Sequence, residues 1–354
     1  MCGIAGTLGP TVPDTGRIAS ALSTMARRGP DASGHRVLDL GAQKAALLHT
    51  RLSIIDLDAR ADQPFERDGL VISYNGEIYN YLEVKADLEA LGHRFKTASD
   101  TEVLVAAWRQ WGPDALDRLE GMWAFAIIDT QAGTLTLCRD RFGEKPLYLW
   151  PRGGVLHFAS EIKTLAALAG DAPPVNQTQV LRYLTLGYKS LYKSGDTFFD
   201  GVFELPPSTY LTLSSPVLSR PEFYWQLKHI PRPMSAAVAL EEARERLFRS
   251  VELRLRADVP VAFCLSGGVD SATLAAIAAK KLGADIHCFS IIDADERYDE
   301  SDNITAMVEA LGCDHHVTRT STEGFFARME DIVAYHDAPV ATISYYVHSF
   351  LSEA

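Results

Sequence analysis

A stretch rich in proline and serine, from about residue 206 to 233, constrains this chain more than any other feature. Pro206, Pro207, Pro216, Pro221, Pro231 and Pro233, with Ser208, Ser214, Ser215 and Ser219, punctuate it. Proline lacks a backbone N–H and fixes φ, so neither a helix interior nor a central strand runs through such a segment. The chain is therefore expected to fold as two bodies, and its 354 residues are enough for two cores of ordinary size. The expected division is a first domain over 2–215, a linker over 216–234 and a second domain over 235–354, with the pattern changing near residue 225.

Hydrophobic periodicity differs on the two sides. Before the prolines it reads as strands and turns with two or three helices. Leu70 to Tyr74 is a short apolar strand ending at Asn75-Gly76, a common hairpin-turn pair. Val103, Leu104, Ala107, Trp108 and Trp111 recur at helical spacing, and Ser99-Asp100-Thr101-Glu102 has the form of a capping box. Met122 to Asp129 and Thr134 to Cys138 read as paired strands around Gln131-Ala132-Gly133. This predicts an α+β domain layered as sheet on sheet or sheet on helix. After the prolines, helices alternate with strands: a helix carrying Leu240, Ala243, Leu247, Val251 and Leu255, then the apolar strand Val259 to Leu265. The helix Ser271 to Leu282, the strand Ile286 to Ile292, the helix Ser301 to Leu311, a strand from His315 and a helix from about Thr322 follow. That alternation predicts a doubly wound α/β domain on a parallel sheet.

A hydrophobic fraction of 47% with 23% charged residues fits a soluble globular protein, and no apolar run approaches the length of a membrane span. No secretory signal is visible, so the expected address is cytoplasmic. The net charge of −12 argues against a nucleic-acid backbone as partner. Five widely spaced cysteines, without a CxxC pair, speak against a disulfide framework and a structural zinc site. Cys138, Cys264, Cys288 and Cys313 sit in apolar surroundings and read as buried fillers.

Cys2 stands apart because it directly follows the initiator methionine. Loss of Met1 would put its thiol and a free α-amine on one residue, and an amine of pKa about 7.7–8.0 can take a thiol proton near neutral pH. The alternative is a small residue buried at a strand start. Asn75-Gly76 is either a turn or a side-chain amide and backbone N–H aimed at one oxyanion. Arg51 is either a solvated surface cation or a bidentate carboxylate ligand. Asp100 is either a helix cap or a counter-charge for a substrate ammonium.

Several segments in fixed order resemble one family. Met1-Cys2-Gly3-Ile4-Ala5-Gly6 is similar to the opening of class II glutamine amidotransferases. Arg28-Gly29-Pro30-Asp31, Arg51 to Asp56, Tyr74 to Asn80, Ser99 to Glu102, Gly121 to Ala126 and Arg139 to Tyr148 follow in the order seen in asparagine synthetases. The resemblance covers nearly the whole chain. It implies the αββα sandwich of amino-terminal-nucleophile hydrolases, with Cys2 as nucleophile and Asn75 and Gly76 as oxyanion hole. It further implies a glutamine pocket of Arg51, Leu52, Ser53, Ile54, Ile55, Asn75, Gly76, Glu77 and Asp100, in which Arg51 holds the carboxylate and Asp100 the amine.

Ser266-Gly267-Gly268-Val269-Asp270-Ser271 lies between an apolar strand and a helix. Glycines let backbone approach phosphate, and a helix start presents free N–H groups. No GxxxxGK[ST] occurs, so this is not a Walker loop. A plain strand-to-helix turn is the alternative. The segment resembles the pyrophosphate loop of ATP pyrophosphatases, which activate a carboxylate as an acyl-adenylate. That implies ATP as substrate with Mg²⁺ at Asp270, and adenosine contacts from Leu265 and Ile291 beside Ser266, Gly267, Gly268, Asp270 and Ser271. The acidic run Asp293 to Asp302 reads as a solvated loop, although Tyr298-Asp299-Glu300-Ser301 resembles a family segment. His315-His316, also similar to the family, is expected to be structural.

The family continues with a second SGxGxDE-type loop, whereas this sequence stops at Ala354, which leads us to expect a piece of a longer protein with an incomplete second domain. The expected activity is glutamine-dependent amidation of an ATP-activated carboxylate, aspartate first. The alternatives are another carboxylate, such as a sugar acid in polysaccharide synthesis, or a non-catalytic glutamine or nucleotide sensor. The expected partners are small molecules, namely glutamine, ATP and the acceptor carboxylate, with a homodimer left open and neither nucleic acid nor membrane involved.

Overall fold

The computed structural model describes residues 1–193, 195–292 and 300–354. By contacts the chain forms two units, Met1–Lys228 and His229–Ala354.

The first unit contains the strands β1 (Gly3–Gly9), β2 (Ala32–Asp39), β3 (Lys44–Arg51), β4 (Phe65–Arg67), β5 (Leu70–Ile78), β6 (Gly121–Asp129), β7 (Thr134–Arg139), β8 (Tyr148–Arg152), β9 (Val155–Ala159), β10 (Phe203–Glu204), β11 (Thr209–Leu213) and β12 (Glu222–Phe223). They make two six-stranded antiparallel sheets, ordered β10-β8-β9-β1-β3-β2 and β12-β11-β7-β6-β5-β4. Period-two alternation decides which neighbour each residue meets. In β3, Ala45 and Leu47 face the other sheet, while Ala46 and Leu48 face the helices Thr15–Thr24 and Ile162–Ala169. In β6, Ala124, Ala126 and Ile128 enter the space between sheets, while Trp123, Phe125 and Ile127 pack under the helices Tyr81–Ala90 and Asp100–Trp111. Three apolar spaces therefore separate four layers, helix, sheet, sheet and helix. This is the αββα architecture of the amino-terminal-nucleophile hydrolases.

Local signals explain several boundaries. Ser99 caps the helix Asp100–Trp111, its Oγ accepting from the N–H of Thr101 at 3.1 Å. The reciprocal half of a capping box does not form. Glu102 instead accepts from the N–H groups of Lys96 and Thr97 and pairs with Arg67 at 3.0 Å. β6 and β7 do pair around the residue 130–133 turn, where Asp129 Oδ1 accepts from the N–H groups of Gln131 and Ala132. Asn75-Gly76 is no hairpin turn: β5 runs through it, Asn75 opposite Ala124 and Gly76 opposite Trp123. Within the stretch expected to be a linker, β12 pairs with β11, and Trp225 meets Phe142 edge to face.

The second unit holds a three-stranded parallel sheet, ordered β13 (Ala262–Cys264), β14 (His287–Ile292) and β15 (Asp314–Arg319). Its helices are Ala236–Arg254, Val269–Ala276, Ser301–Leu311, Phe325–His336 and Ser344–Glu353. The expected α/β alternation is present, but β13 is shorter than the apolar run around it. The helix after the glycine loop ends at Ala276 and passes into a π-helical stretch, Ile277–Lys281. Cys138 and Cys288 are buried as expected; Cys264 is exposed and Cys313 half-buried, its Sγ 3.1 Å from Cys288 Sγ. Among the described residues β13 starts the three-stranded sheet, so one flank of Cys264 has no neighbouring strand there to cover it. Among the described residues no helix is long and apolar enough to cross a membrane.

Candidate active site

β1 pairs with β3, Gly3 opposite Thr50, which brings the chain start beside the end of β3. Cys2 Sγ lies against Leu52, donating to its carbonyl at 3.6 Å and accepting from its N–H at 3.4 Å. Arg28 Nε donates to the Cys2 carbonyl at 2.9 Å, and its guanidinium pairs with buried Glu161 at 3.3 Å. Residue 2 is thus held on both sides of its Cα. Burial pushes the thiol above its ordinary value, while the Leu52 N–H opposes this.

Cys2 opens into a cavity shared with Arg51, Leu52, Ile54, Ile55 and residues of β5. The cavity encloses about 130 Å³, below the roughly 300–1,000 Å³ of drug-sized sites, which suits a molecule of amino-acid size. Asn75 lines it from β5; among the described residues its buried Nδ2 has no hydrogen-bond partner. Leaving a buried amide donor unpaired costs about 1–3 kcal/mol, so such a group inside a cavity points to a ligand acceptor. Gly76 follows. A Cβ there would stand 2.2 Å from the Met122 carbonyl oxygen and 2.6 Å from the Tyr74 ring. Only glycine lets β5 lie this close to β6 at that point.

Carboxylates line the cavity as well. Asp100 is buried at the first turn of its helix, where Oδ2 accepts from Tyr74 Oη at 2.9 Å and from the Ile78 N–H at 3.0 Å. Burial raises its pKa, with these bonds opposing. Ser99, not Asp100, is the helix cap. Glu77 is also raised by burial and by the nearby Asp100. Arg51 is buried rather than solvated. Its Nη1 donates to Asp58 O at 3.0 Å and Asp62 Oδ1 at 2.7 Å, and its Nη2 to Ile55 O at 3.4 Å and to Asp56 O. The two parallel Nη donors expected for a substrate carboxylate are thus engaged by the 55–62 loop.

Of the residues expected in this pocket, Ser53 alone does not line it; its N–H donates to Asp31 Oδ2 at 2.7 Å. Sequence reasoning missed Met1, Ala61, Gln63, Tyr74, Ser99, Thr101, Met122 and Lys145 among the lining residues. Gln63 braces β5, its Oε1 accepting from the Tyr74 N–H at 2.7 Å and its Nε2 donating to Thr101 Oγ1 at 3.2 Å. The Arg139–Tyr148 segment was the available signal for Lys145.

The second unit carries the glycine loop between β13 and the helix Val269–Ala276. Gly267 has φ +76°, and a Cβ on it would meet Glu300 Cβ at 2.8 Å. Ser271 Oγ accepts from the Ser266 N–H at 3.2 Å and donates to the Gly268 carbonyl at 3.2 Å, closing the loop on itself. Leu265 is buried in the second unit's core, its N–H bonded to Phe289 O at 2.8 Å. Ile291 lies on the neighbouring β14. Asp270 is exposed, and the described residues contain no group of three metal-ligating side chains. Most of the acidic run, Asp293 to Asp299, lies outside the described residues. His315 bonds Ser290 Oγ at 2.9 Å, and His316 stacks on Phe289.

A family model described as a glutamine amidotransferase domain matches residues 1–225, and one described as asparagine synthase matches residues 242–354. The chain belongs to the glutamine amidotransferase family. Asparagine synthetase [glutamine-hydrolyzing] 3 of Bacillus subtilis is 31% identical over 96% of this chain and 57% of its own length. "Amidase chry2" of Gibberella zeae is 32% identical over 95% of this chain and 52% of its own. This family member thus spans about half the length of the curated relatives it matches. The solved glutamine phosphoribosylpyrophosphate amidotransferase of B. subtilis aligns at 17% identity with a TM-score of 0.48, over 90% of this chain and 82% of that one.

Proposed function

We propose that the first unit hydrolyses glutamine at Cys2 and that the second contributes to activating a carboxylate with ATP, so that the released ammonia becomes an amide. The observation that carries this reading is the unpartnered Asn75 amide in the cavity that also holds the Cys2 thiol.

Removal of Met1 leaves the α-amine of Cys2 free to take the thiol proton. The thiolate attacks the carboxamide carbon, and the resulting oxyanion accepts from Asn75 Nδ2 and the Gly76 N–H. The protonated amine then gives its proton to the departing nitrogen, ammonia leaves, and a thioester remains for water to cleave to glutamate. Asp100 and Glu77 receive the substrate ammonium. The positive charge of Arg51, which lines the cavity, offsets the substrate carboxylate at a distance while its donors hold the 55–62 loop.

For the second unit, the left-handed glycine and the helix start behind it suit a phosphate group. Ser266, Gly267, Gly268 and Ser271 would hold pyrophosphate oxygens, Asp270 would face Mg²⁺, and Leu265 and Ile291 would border adenosine. ATP would supply AMP as the leaving group that makes a carboxylate electrophilic toward ammonia. Aspartate is the first acceptor to test. A different carboxylate is the second reading, favoured by a relative named an amidase.

Glutamate release from glutamine tests the first step. We expect turnover in protein that has lost Met1, none in Cys2→Ala, and a loss of about 10²–10³-fold in Asn75→Ala, the usual weight of one oxyanion donor. Binding of glutamine without any turnover would support a sensor instead. ATP–pyrophosphate exchange in the longest natural form of the protein tests the acceptor, and no exchange with aspartate would overturn the asparagine reading.

A further inference from the structure

Lys145 is a lysine with 6% exposure that lines the same cavity as Cys2. Lysine is rarely so buried without a partner. Yet among the described residues no carboxylate lies within ion-pair distance of its ammonium, which donates to Met1 Sδ at 3.2 Å. The position is built. Asp140, fully buried, accepts from the N–H groups of Phe142, Glu144 and Lys145, each at 3.0 Å, and from that of Trp123 at 3.3 Å. Arg139 grips the same turn through Lys145 O at 2.8 Å and Gly143 O at 2.9 Å and ties it to Leu205 O at 2.8 Å. Two buried charged side chains thus fix the backbone that presents this ammonium to the amino terminus.

We propose that Lys145 is a positioning residue of the glutaminase site, its ammonium keeping the Cys2 α-amine in free-base form once Met1 has gone. The proposal rests on the glutaminase reading above and adds a residue to it. Removing Met1 takes away the thioether that Lys145 touches, and its ammonium still lines the cavity into which Cys2 opens. A nearby like charge disfavours protonation of an amine, typically by a unit or more at close range. A proton acceptor working near neutral pH needs that adjustment.

The other charged or titratable groups around residue 2 come from each packed element. They are Arg28 after the first helix, Arg51 at the end of β3, Tyr74 and Glu77 on β5, Asp100 on its helix, Glu144 beside Lys145, and Glu161 behind Arg28. In the chain with Met1 attached, burial lowers the terminal amine most, Cys2 and Glu77 oppose this, and Arg28 and Lys145 lower it further. Burial also draws Lys145 down from 10.5, while Glu77 raises it, so Lys145→Arg separates fixed charge from lysine chemistry.

The test uses protein whose mass shows loss of Met1, as wild type, Lys145→Met and Lys145→Arg. For glutamine hydrolysis, the acidic limb of kcat/KM in Lys145→Met is expected to move up by about one pH unit, a tenfold loss on that limb. Lys145→Arg is expected to restore the wild-type limb. The α-amine is followed separately by the pH dependence of its acylation, read by peptide mass, and the same ordering is expected. That second measurement needs no turnover, so it decides the role of Lys145 even if the wild type releases no glutamate, an outcome that would remove only the glutaminase reading. An amine titration that is the same in Lys145→Met and wild type, or Arg behaving as Met does, overturns the proposal.

Discussion

Asn75 and Gly76 show how far single residues speak for themselves. Read as a pair they signal a hairpin, because Asn-Gly suits positive φ. Here both are extended within β5, and Gly76 is required because a Cβ there would collide with the Met122 carbonyl of β6. Gly76→Ala is therefore expected to destabilise the protein by about 1–3 kcal/mol, the usual cost of overpacking, measured as a lower urea midpoint. Glutamate release should also fall in the protein that remains folded; unchanged stability and rate would show that β5 and β6 part without cost. Cys2, Asn75 and Asp100 drew attention by residue type and position, and Glu77 only through the family resemblance; all four line the cavity. Lys145 and Gln63 were not legible, because a buried lysine and a bracing glutamine look like ordinary polar residues until the fold brings residues 63, 74, 101 and 145 together.

At the scale of elements, amphipathic spacing gave the helix Asp100–Trp111 and its Ser99 cap to within one residue. The capping box was misleading in part. Glu102 is drawn away from Ser99 by Arg67 and by two N–H groups preceding the helix. The two members should then differ in weight. Ser99→Ala removes one cap bond and is expected to cost about 1 kcal/mol. Glu102→Ala leaves Arg67 with its buried partner gone and is expected to cost about 3–5 kcal/mol. Urea unfolding of both variants measures the contrast, and equal effects would mean that Glu102 acts as a simple cap. Strand ends in the second unit were harder to read, since Val259 to Leu265 is uniformly apolar while the ladder uses Ala262–Cys264 alone.

Over the whole molecule, the two contact units divide after Lys228, within the proline-rich stretch, but composition does not say where packing stops. Glu222, Phe223 and Trp225 carry enough apolar and pairing capacity to stay with the first unit, among prolines that suggest free chain. The three apolar clusters of the first unit lie within residues 1–228, and the fourth lies beyond them. A chain of residues 1–228 is therefore expected to unfold in one cooperative transition and to keep glutamine hydrolysis without ATP–pyrophosphate exchange. Circular dichroism against urea, with the glutamate assay, checks this; a broad transition or a dead fragment would refute the independence of the two bodies.

The alternation along β3 and β6 also bears on how such a protein can change. Every other residue belongs to a different interior, and in β6 one side receives Trp123, Phe125 and Ile127 while the other receives Ala124, Ala126 and Ile128. Losing or gaining a single codon in β6 would exchange the two fillings, forcing indole where methyl groups sit and opening a void where the indole had been. Lengthening is thus confined to the bends, and diversity among such chains should accumulate there rather than in the strands.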